Sequence, residues 1–190
     1  MKSSTVFVGL LFAVFAACCQ AQVFSWGNCP RVQVKEDFNA TKYFGKWYEI
    51  MRFNKTSFEE GTRCIYAVYS NGTRPGTVGV RNAALRGTEV ETAEGYAYAP
   101  DPTQPGKLKV RLSESWFAGN YWVLDTDYRS YAMVHSCTGF WLFNFQLNWL
   151  LSPIRNVTSD VVESALQRFE TSGIDISNFI RANQTRCPDF

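Results

Sequence analysis

Most of the chain after residue 21 consists of short segments in which apolar and polar residues alternate, and these segments end at turn residues. Alternation with a period of two is typical of β-strands that bury one face. The clearest example is the segment Lys107–Leu112, where cationic and aliphatic residues alternate. We expect its aliphatic side chains, those of Leu108, Val110 and Leu112, to point into the protein.

This pattern predicts a set of consecutive strands, separated by turn signals such as Asn71-Gly72 and Gln104-Pro105-Gly106. The predicted strands are Trp47–Asn54, Cys64–Ser70, Thr77–Leu85, Ala93–Ala99, Lys107–Leu112, Tyr121–Asp125, Ser130–Cys137 and Phe140–Leu150. Strands that follow one another in this way favour an all-β fold, and here they predict an eight-stranded antiparallel up-and-down barrel.

Helical periodicity occurs near the end of the chain, from Thr158 to Phe169. The apolar residues with spacings of i, i+3, i+4 and i+7 are Val162, Ala165, Leu166 and Phe169. This spacing predicts one C-terminal amphipathic α-helix packed outside the barrel. We expect Asp160 and Glu163 to form a variant of the capping box at its start, and Gly173 to end it.

The first 21 residues have the pattern of a secretory signal peptide. Lys2 is followed by an apolar stretch from Val6 to Ala17 and by small residues up to Ala21, where cleavage is expected. The stretch is shorter than the roughly 20 apolar residues that span a bilayer, so a membrane anchor is the weaker alternative. We predict a secreted, extracellular protein with a signal peptide at 1–21 and one domain at 22–190.

The cysteines predict disulfide bonds rather than a metal site. Of the six cysteines, Cys18 and Cys19 lie in the signal peptide. The others are Cys29, Cys64, Cys137 and Cys187. An even number in an exported chain predicts two disulfides, with three possible connectivities. Because these cysteines form no C-x-x-C pair and His135 is the only histidine, we expect no metal and no cofactor.

Potential glycosylation sites point to the same compartment. N-x-[ST] sequons occur at Asn39, Asn54, Asn71, Asn156 and Asn183. Any asparagine that carries a glycan must lie on the surface, so we predict a glycoprotein with exposed sequons.

Charge and aromatic content narrow the class of partner. The chain has 19 basic and 17 acidic residues and no basic run, so no nucleic-acid partner is expected. Aromatic residues make up 16% of the chain, which favours a bulky core or an aromatic-lined cavity. The apolar segments Trp116-Phe117 and Phe140–Phe143 are candidates for membrane or lipoprotein contact, with core packing of the second segment as the alternative.

Two short motifs indicate the family. Gly45-Lys46-Trp47-Tyr48 resembles the G-x-W-Y motif that begins the first barrel strand of the lipocalins, and it follows the mature N-terminus closely, as in that family. In physical terms, Gly45 would let the entering turn approach the barrel closely, and Trp47 would plug the closed end.

The second motif of the lipocalins, T-D-Y, is matched by Thr126-Asp127-Tyr128 between two late strands. Thr126 and Asp127 would accept hydrogen bonds from backbone N–H groups of the turn. In the family, an arginine near the late helix covers the motif tryptophan by a cation–π contact. Arg155 comes two residues later than an ungapped match requires, so the sequence leaves that role open.

Within the lipocalins, the closest resemblance is to apolipoprotein D and its invertebrate relatives. The segments that carry it are Asn28-Cys29-Pro30, Cys64-Ile65, Tyr121–Leu124, Ser136-Cys137-Thr138 and Gly173–Ile176. The resemblance implies the disulfides Cys29–Cys137 and Cys64–Cys187. It also implies extracellular binding and transport of a small hydrophobic ligand such as a fatty acid, a steroid or a similar lipid.

The ligand residues follow from the same resemblance. Carried over by position, they are Tyr69, Asn82, Arg86, Tyr121 and Trp149. Asn82 and Arg86 share a strand face by parity, so they would form a polar end for a carboxylate or hydroxyl head group. Ala84 between them replaces an expected acidic residue, which shifts the preference toward anions. A bilin or carotenoid pigment is the alternative cargo, because carriers of these pigments have both motifs.

No catalytic activity is expected. The lipocalin-type isomerase uses a cysteine nucleophile. Here each cysteine of the mature chain has an expected disulfide partner, and His135 has no evident catalytic partner in the sequence. We therefore predict a binding protein and not an enzyme.

Overall fold

The computed structural model describes residues 23–54, 56–113 and 117–190. The predicted signal peptide and Trp116 lie outside these residues. The strands are β1 (Val23–Trp26), β2 (Gly45–Phe53), β3 (Thr62–Asn71), β4 (Thr77–Arg86), β5 (Glu89–Tyr98), β6 (Lys107–Leu112), β7 (Gly119–Thr126), β8 (Ala132–Phe140), β9 (Phe143–Ser152) and β10 (Phe179–Arg181). Among these residues, the α-helix is α1 (Ser159–Thr171).

Strands β2 to β9 form a closed antiparallel barrel. Each strand pairs with the next one in the chain, and β9 pairs back with β2. This arrangement confirms the predicted eight-stranded up-and-down barrel. The sequence pattern did not predict β1, which pairs with β9, or β10, which pairs with β2, because both are too short to show alternation.

Helix α1 packs on the outside of the barrel, as predicted. Its buried residues are Val162, Ala165 and Phe169, and they belong to the same apolar cluster as Ile50 and Met51 of β2. This cluster lies between the helix and the outer surface of the barrel. Among the described residues, no helix is long and apolar enough to cross a membrane.

The C-terminal end of α1 agrees with the prediction, and the N-terminal end does not. Gly173 adopts a φ of 78°, and the N–H of Ile174 donates to the carbonyl of Phe169 at 3.1 Å, a Schellman arrangement that ends the helix as expected. The expected capping box is wrong. Thr158 is the N-cap and its side chain makes no capping hydrogen bond, while Asp160 lies one residue inside the helix.

Both disulfides implied by the resemblance are present. Cys29–Cys137 fastens the N-terminal segment to β8, and Cys64–Cys187 fastens the C-terminal segment to β3. They join residues that are 108 and 123 positions apart. On a chain-entropy estimate, loops of this length allow roughly 4–5 kcal/mol of stabilisation for each bond.

The C-terminal segment closes a gap in the barrel wall. Strands β2 and β3 pair from Gly45 to Tyr48 only, and β10 then occupies the place beside β2. Beyond it, the side-chain amide of Gln184 donates to the carbonyls of Glu49 and Ile65, at 2.9 and 2.7 Å. The segment therefore connects the two strands where they no longer pair with each other.

A register shift in β2 determines which of its side chains face the interior. Glu49 pairs with Leu151 and Met51 with Leu150, so Ile50 is an extra residue between them. Such a shift reverses the alternation beyond it. Ile50 and Met51 both belong to the outer cluster under the helix, and Arg52 lies on the same face as Glu49.

Gly45 has a different role from the expected one. Its φ is 125°, and a Cβ added there would have no atom within 4 Å. The expectation that glycine permits a close approach of the turn is therefore wrong. Glycine is required because the backbone of residue 45 adopts a conformation that side chains with a Cβ rarely tolerate.

We expect Gly45→Ala to lower the free energy of unfolding by about 1–3 kcal/mol, because alanine is strained at this φ. Urea denaturation of the purified protein measures the change. Gly119→Ala is the matched control, since its added Cβ also meets open space but its φ lies outside the positive region. Equal unfolding midpoints for the two variants would contradict the assignment of backbone strain.

Candidate functional site

The barrel encloses a cavity of about 780 Å³, a volume typical of small-molecule sites. Its wall is mainly apolar. The aromatic residues that line it are Trp47, Tyr66, Tyr69, Phe117, Tyr121 and Trp149. Val110 and Leu112 contribute to the same wall, and Leu108 is buried, so the inward face predicted for β6 is confirmed.

The floor of the cavity is formed where β2 begins. Trp47 is 2% exposed, stacks on Tyr43 with a centroid distance of 4.6 Å, and donates from its indole nitrogen to the carbonyl of Tyr43 at 2.8 Å. Tyr43 belongs to a short 3-10 helix, Ala40–Tyr43, that precedes β2. The expectation that Trp47 plugs one end of the barrel is confirmed.

The T-D-Y turn between β7 and β8 supports this closed end. Thr126 accepts a hydrogen bond from the N–H of Tyr128 at 2.9 Å, and Asp127 accepts from three backbone N–H groups of the turn at 2.8 to 3.1 Å. Partial burial opposes ionisation, but hydrogen bonds from Ser130 and the backbone lower the pKa of Asp127 to about 2. These bonds confirm the expected acceptor roles. The Tyr128 hydroxyl accepts from the N–H of Asn39 at 2.9 Å, which joins the turn to the segment before β2.

Arg155 lies over Tyr48 and not over Trp47. The distance from its guanidinium carbon to the centroid of the Tyr48 ring is 4.7 Å. The cation–π contact is therefore displaced by one residue along β2 from the position that the resemblance suggests.

Three tyrosine hydroxyls form a chain beside the floor. The hydroxyl oxygen of Tyr121 lies 3.1 Å from that of Tyr43 and 2.7 Å from that of Tyr69. Burial raises the pKa of all three phenols well above the ordinary value, so they are neutral at physiological pH. Two hydrogen bonds use two of the three hydroxyl hydrogens, which leaves one donor at this depth of the cavity.

A cluster of charged residues forms part of the wall nearer the mouth. Glu49 of β2 and Glu59 of the 3-10 helix Ser57–Glu59 both line the cavity, and Arg52 lies between their carboxyl groups. An Nη of Arg52 donates to Glu49 at 3.0 Å, and its Nε lies 3.4 Å from Glu59. The indole nitrogen of Trp149 donates to the other oxygen of Glu59 at 3.3 Å.

Burial dominates the electrostatics of this cluster. Glu49 is 2% and Glu59 is 8% exposed. Burial and the neighbouring Glu59 raise the pKa of Glu49 well above its ordinary value, although Arg52 opposes the change. Burial also raises the pKa of Glu59, again against the attraction of Arg52. The guanidinium of Arg52 therefore pairs with two carboxyl groups, and burial disfavours the ionised form of both.

The Lipocalin-like domain family matches residues 38–184, which include both motifs and every barrel strand. The chain belongs to the lipocalin family. Apolipoprotein D of Cavia porcellus is 39% identical over 183 residues, which cover 95% of this chain and 95% of that protein. The Lazarillo protein of Schistocerca americana is 33% identical over 172 residues, which cover 88% of this chain and 78% of that protein.

The same relationship is visible in three dimensions. Insecticyanin from the tobacco hornworm Manduca sexta has a TM-score of 0.76 and 27% identity, with 87% of this chain and 90% of that chain covered. Together with the sequence relatives, this confirms the resemblance to the lipocalins and, within them, to apolipoprotein D and its invertebrate relatives.

The barrel brings four of the five predicted ligand residues together. Tyr69, Asn82, Tyr121 and Trp149 all line the cavity of this lipocalin. Contact of these residues with a ligand stays a prediction.

Arg86 lies outside the wall. Its Nε forms an ion pair with Glu91 at 2.6 Å, and the rest of the guanidinium donates to the carbonyls of Glu60 and Phe58. The expected polar pair of Asn82 and Arg86 is not assembled, because Arg86 is the last residue of β4 and its guanidinium is bound by the neighbouring loop.

Sequence reasoning missed the cluster of Glu49, Arg52 and Glu59. Strict alternation along β2 places Glu49 and Arg52 on opposite faces, and the register shift at Ile50 brings them to the same face. Glu59 comes from a loop for which the pattern predicted no element. The sequence signal that could have revealed the cluster is a charged residue at a position of a barrel strand that faces the interior, and Glu49 is such a residue.

Ultraviolet titration tests the tyrosine chain. We expect Tyr43, Tyr69 and Tyr121 to stay protonated in the folded protein at pH values where ordinary phenols ionise, near 10, because burial disfavours the phenolate. The urea-unfolded chain is the control and should ionise all nine tyrosines together. A folded protein that titrates all nine in that single ordinary step would disprove the buried chain.

Proposed function

We propose that this lipocalin is an extracellular carrier that holds a small hydrophobic ligand, such as a fatty acid, a steroid or a similar lipid, in the barrel cavity. The single observation that carries the proposal is the cavity of about 780 Å³ with its mainly apolar, aromatic wall. Apolar surface of this kind gains free energy when it is covered by an apolar ligand. Tyr69, Asn82, Tyr121 and Trp149 are the proposed contact residues.

Secretion is part of the same proposal. The four cysteines of residues 22–190 form two disulfides, which persist in oxidising compartments. Every sequon asparagine is exposed and so accessible to a glycosyl transferase: Asn39, Asn54, Asn71, Asn156 and Asn183. Expression in a secretory host, followed by terminal sequencing and glycan removal, tests cleavage after Ala21 and the use of each sequon.

A carrier role is favoured over catalysis by the state of the candidate nucleophiles. Cys29, Cys64, Cys137 and Cys187 are all disulfide-bonded and therefore provide no thiolate. The imidazole of His135 is buried, bonded to the Asn148 side chain at 2.7 Å, and its pKa is lowered by burial. We propose that the cavity binds its cargo without chemical change.

Filling the cavity should weaken binding of a hydrophobic probe. We expect Ala84→Trp to weaken the binding of a neutral fluorescent probe, N-phenyl-1-naphthylamine, by at least about tenfold, because Ala84 lines the cavity and an indole would occupy it. Ser164→Trp adds a comparable volume to an exposed position of α1 and is the control. If the probe binds both variants and the native protein equally, it does not occupy the barrel.

A pigment is the second candidate cargo. The aromatic groups at the floor and in the wall, among them Trp47, Tyr69 and Tyr121, are suited to stack on a planar conjugated molecule such as a bilin or carotenoid. Absorbance of protein purified from its natural source, together with native mass spectrometry, distinguishes the two cargoes. A visible band that copurifies with the protein supports a pigment, and a colourless extracted lipid supports the first proposal.

We further propose that the open end of the barrel touches a lipid surface. The β8–β9 hairpin ends opposite the T-D-Y turn, and its tip exposes three apolar residues: Phe140 by 62%, Trp141 by 91% and Leu142 by 65%. Core packing of these residues, the alternative from the sequence, is wrong for the tip. Phe58 and Phe117, which line the cavity, are also exposed and lie at the same end. Apolar and aromatic groups at one end of a barrel suit contact with membrane or lipoprotein.

Vesicle sedimentation tests the lipid contact. We expect the native protein to sediment with vesicles of neutral phosphatidylcholine and Trp141→Ser to remain in solution, because the most exposed apolar side chain of the tip is removed. Ile154→Ser is the control, because Ile154 is an exposed apolar residue just beyond the end of β9 where Ser152 pairs with Tyr48, at the closed end of the barrel. Equal sedimentation of the native protein and Trp141→Ser excludes the hairpin tip as the contact.

A further inference from the structure

The charged residues in the described wall of the cavity are all acidic. They are Glu49, Glu59 and Glu91, and neither lysine nor arginine lines that part of the cavity. Glu91 is neutralised at the mouth by its ion pair with Arg86. Glu49 and Glu59 share Arg52, which does not itself line the cavity, so this cluster presents carboxyl groups and no cation to a ligand.

The cluster also has unsatisfied hydrogen-bonding atoms. Oε2 of Glu59 and Nε of Arg52 are both buried and lie 3.4 Å apart as an ion pair, but neither atom makes a hydrogen bond among the described residues. The attraction of Arg52 therefore compensates this oxygen for only part of the hydrogen bonding that it loses on leaving water. A donor group on a ligand in the cavity would satisfy this oxygen.

The acidic wall and the Glu59 oxygen without a hydrogen bond favour some classes of ligand head group over others. A ligand carboxylate would lie beside two carboxyl groups in an interior of low dielectric, and no cation of the described wall would pair with it. An alcohol or amide N–H can donate to Oε2 of Glu59 at no cost in charge. An ammonium group can do the same and also stabilises the ionised form of the carboxyl groups.

We infer that Glu49, Arg52 and Glu59 form the polar end of the ligand site and select amphiphiles with an alcohol, amide or amine head over those with a carboxylate. The inference rests on the proposed carrier function and narrows its ligand class. It reverses the preference for anions that the sequence suggested. That preference followed from Ala84 in place of an expected acidic residue, whereas the cavity is lined by three other acidic residues and not by Arg86.

The charged and polar groups around the two carboxyls come from four strands of the described chain. Arg52 of β2 and the indole N–H of Trp149 of β9 contact the carboxyls directly, and Glu91 of β5 lines the same cavity, paired with Arg86 of β4. Burial raises the pKa of Glu59 to about 7. As the pH rises through this value, the cluster loses a proton and gains negative charge, so it should attract a cation more strongly.

Three ligands with the same ten-carbon chain test the inference: decanol, decylamine and decanoate. Each is titrated against N-phenyl-1-naphthylamine bound to the native protein near neutral pH, and displacement of the probe measures its affinity. We expect decanoate to bind at least about tenfold more weakly than decanol or decylamine. Equal affinities would leave the carrier function standing and overturn the selectivity. If the probe and all three ligands fail to bind, the carrier function itself is wrong, and the inference falls with it.

Matched variants locate the selectivity. We expect Glu59→Gln to strengthen decanoate binding several-fold and to weaken decylamine binding, because it removes the negative charge that Glu59 carries when ionised without changing the shape of the side chain. Glu94→Gln, which breaks an exposed ion pair with Arg81 on the outside of the cavity, should change neither. Identical behaviour of the two variants would overturn the inference. Because the ligand comparison uses the native protein, it decides the question even if Glu59→Gln does not fold.

The dependence on pH provides a further readout. Between about pH 6 and about pH 8, decylamine keeps its charge, since an alkyl ammonium titrates near 10.4. We expect its affinity for the native protein to rise over this range and to stay constant for Glu59→Gln. An affinity that rises equally in both proteins would show that another group is responsible.

Discussion

Closure of the sheet through the pairing of β9 with β2 is the constraint on which the rest of this structure depends. An open sheet of eight strands would leave two edges with unpaired N–H and C=O groups, and closure removes both. It also divides the side chains into two environments. One face of every strand turns toward a shared interior, and the other packs under α1 or meets solvent.

The interior produced by closure is not filled. Side chains close one end, where Trp47, Tyr43 and the T-D-Y turn pack together, and leave a cavity above them. The wall is mainly apolar, and burial raises the pKa values of the Glu49 and Glu59 carboxyls within it. Groups whose pKa values are shifted by burial cluster at functional sites, and these two lie where a ligand in the cavity would meet them.

The C-terminal segment supports the barrel wall near the acidic cluster. It fills the gap where β2 and β3 separate, bridges them through Gln184, and is held by the disulfide of Cys64 with Cys187. The bridge ends on the carbonyl of Glu49, the residue next to the register shift. The backbone that positions the acidic cluster is therefore supported by residues more than a hundred positions away.

The sequence alone determined the class of fold, the order of the barrel strands, the helix and its final glycine, because alternation, helical spacing and turn residues depend on neighbours only a few positions apart. The G-x-W-Y and T-D-Y motifs added the family and the floor of the barrel, and the resemblance to apolipoprotein D added the disulfide pairing. Only the tertiary structure decided which charged residues the cavity contains. Arg86 had the correct parity for the wall, yet a loop and Glu91 bind it at the rim. Arg52 had the wrong parity, yet an extra residue in β2 brings it beside Glu49. Both outcomes depend on hydrogen bonds between strands and loops that meet only when the barrel closes, and a local pattern contains no information about them.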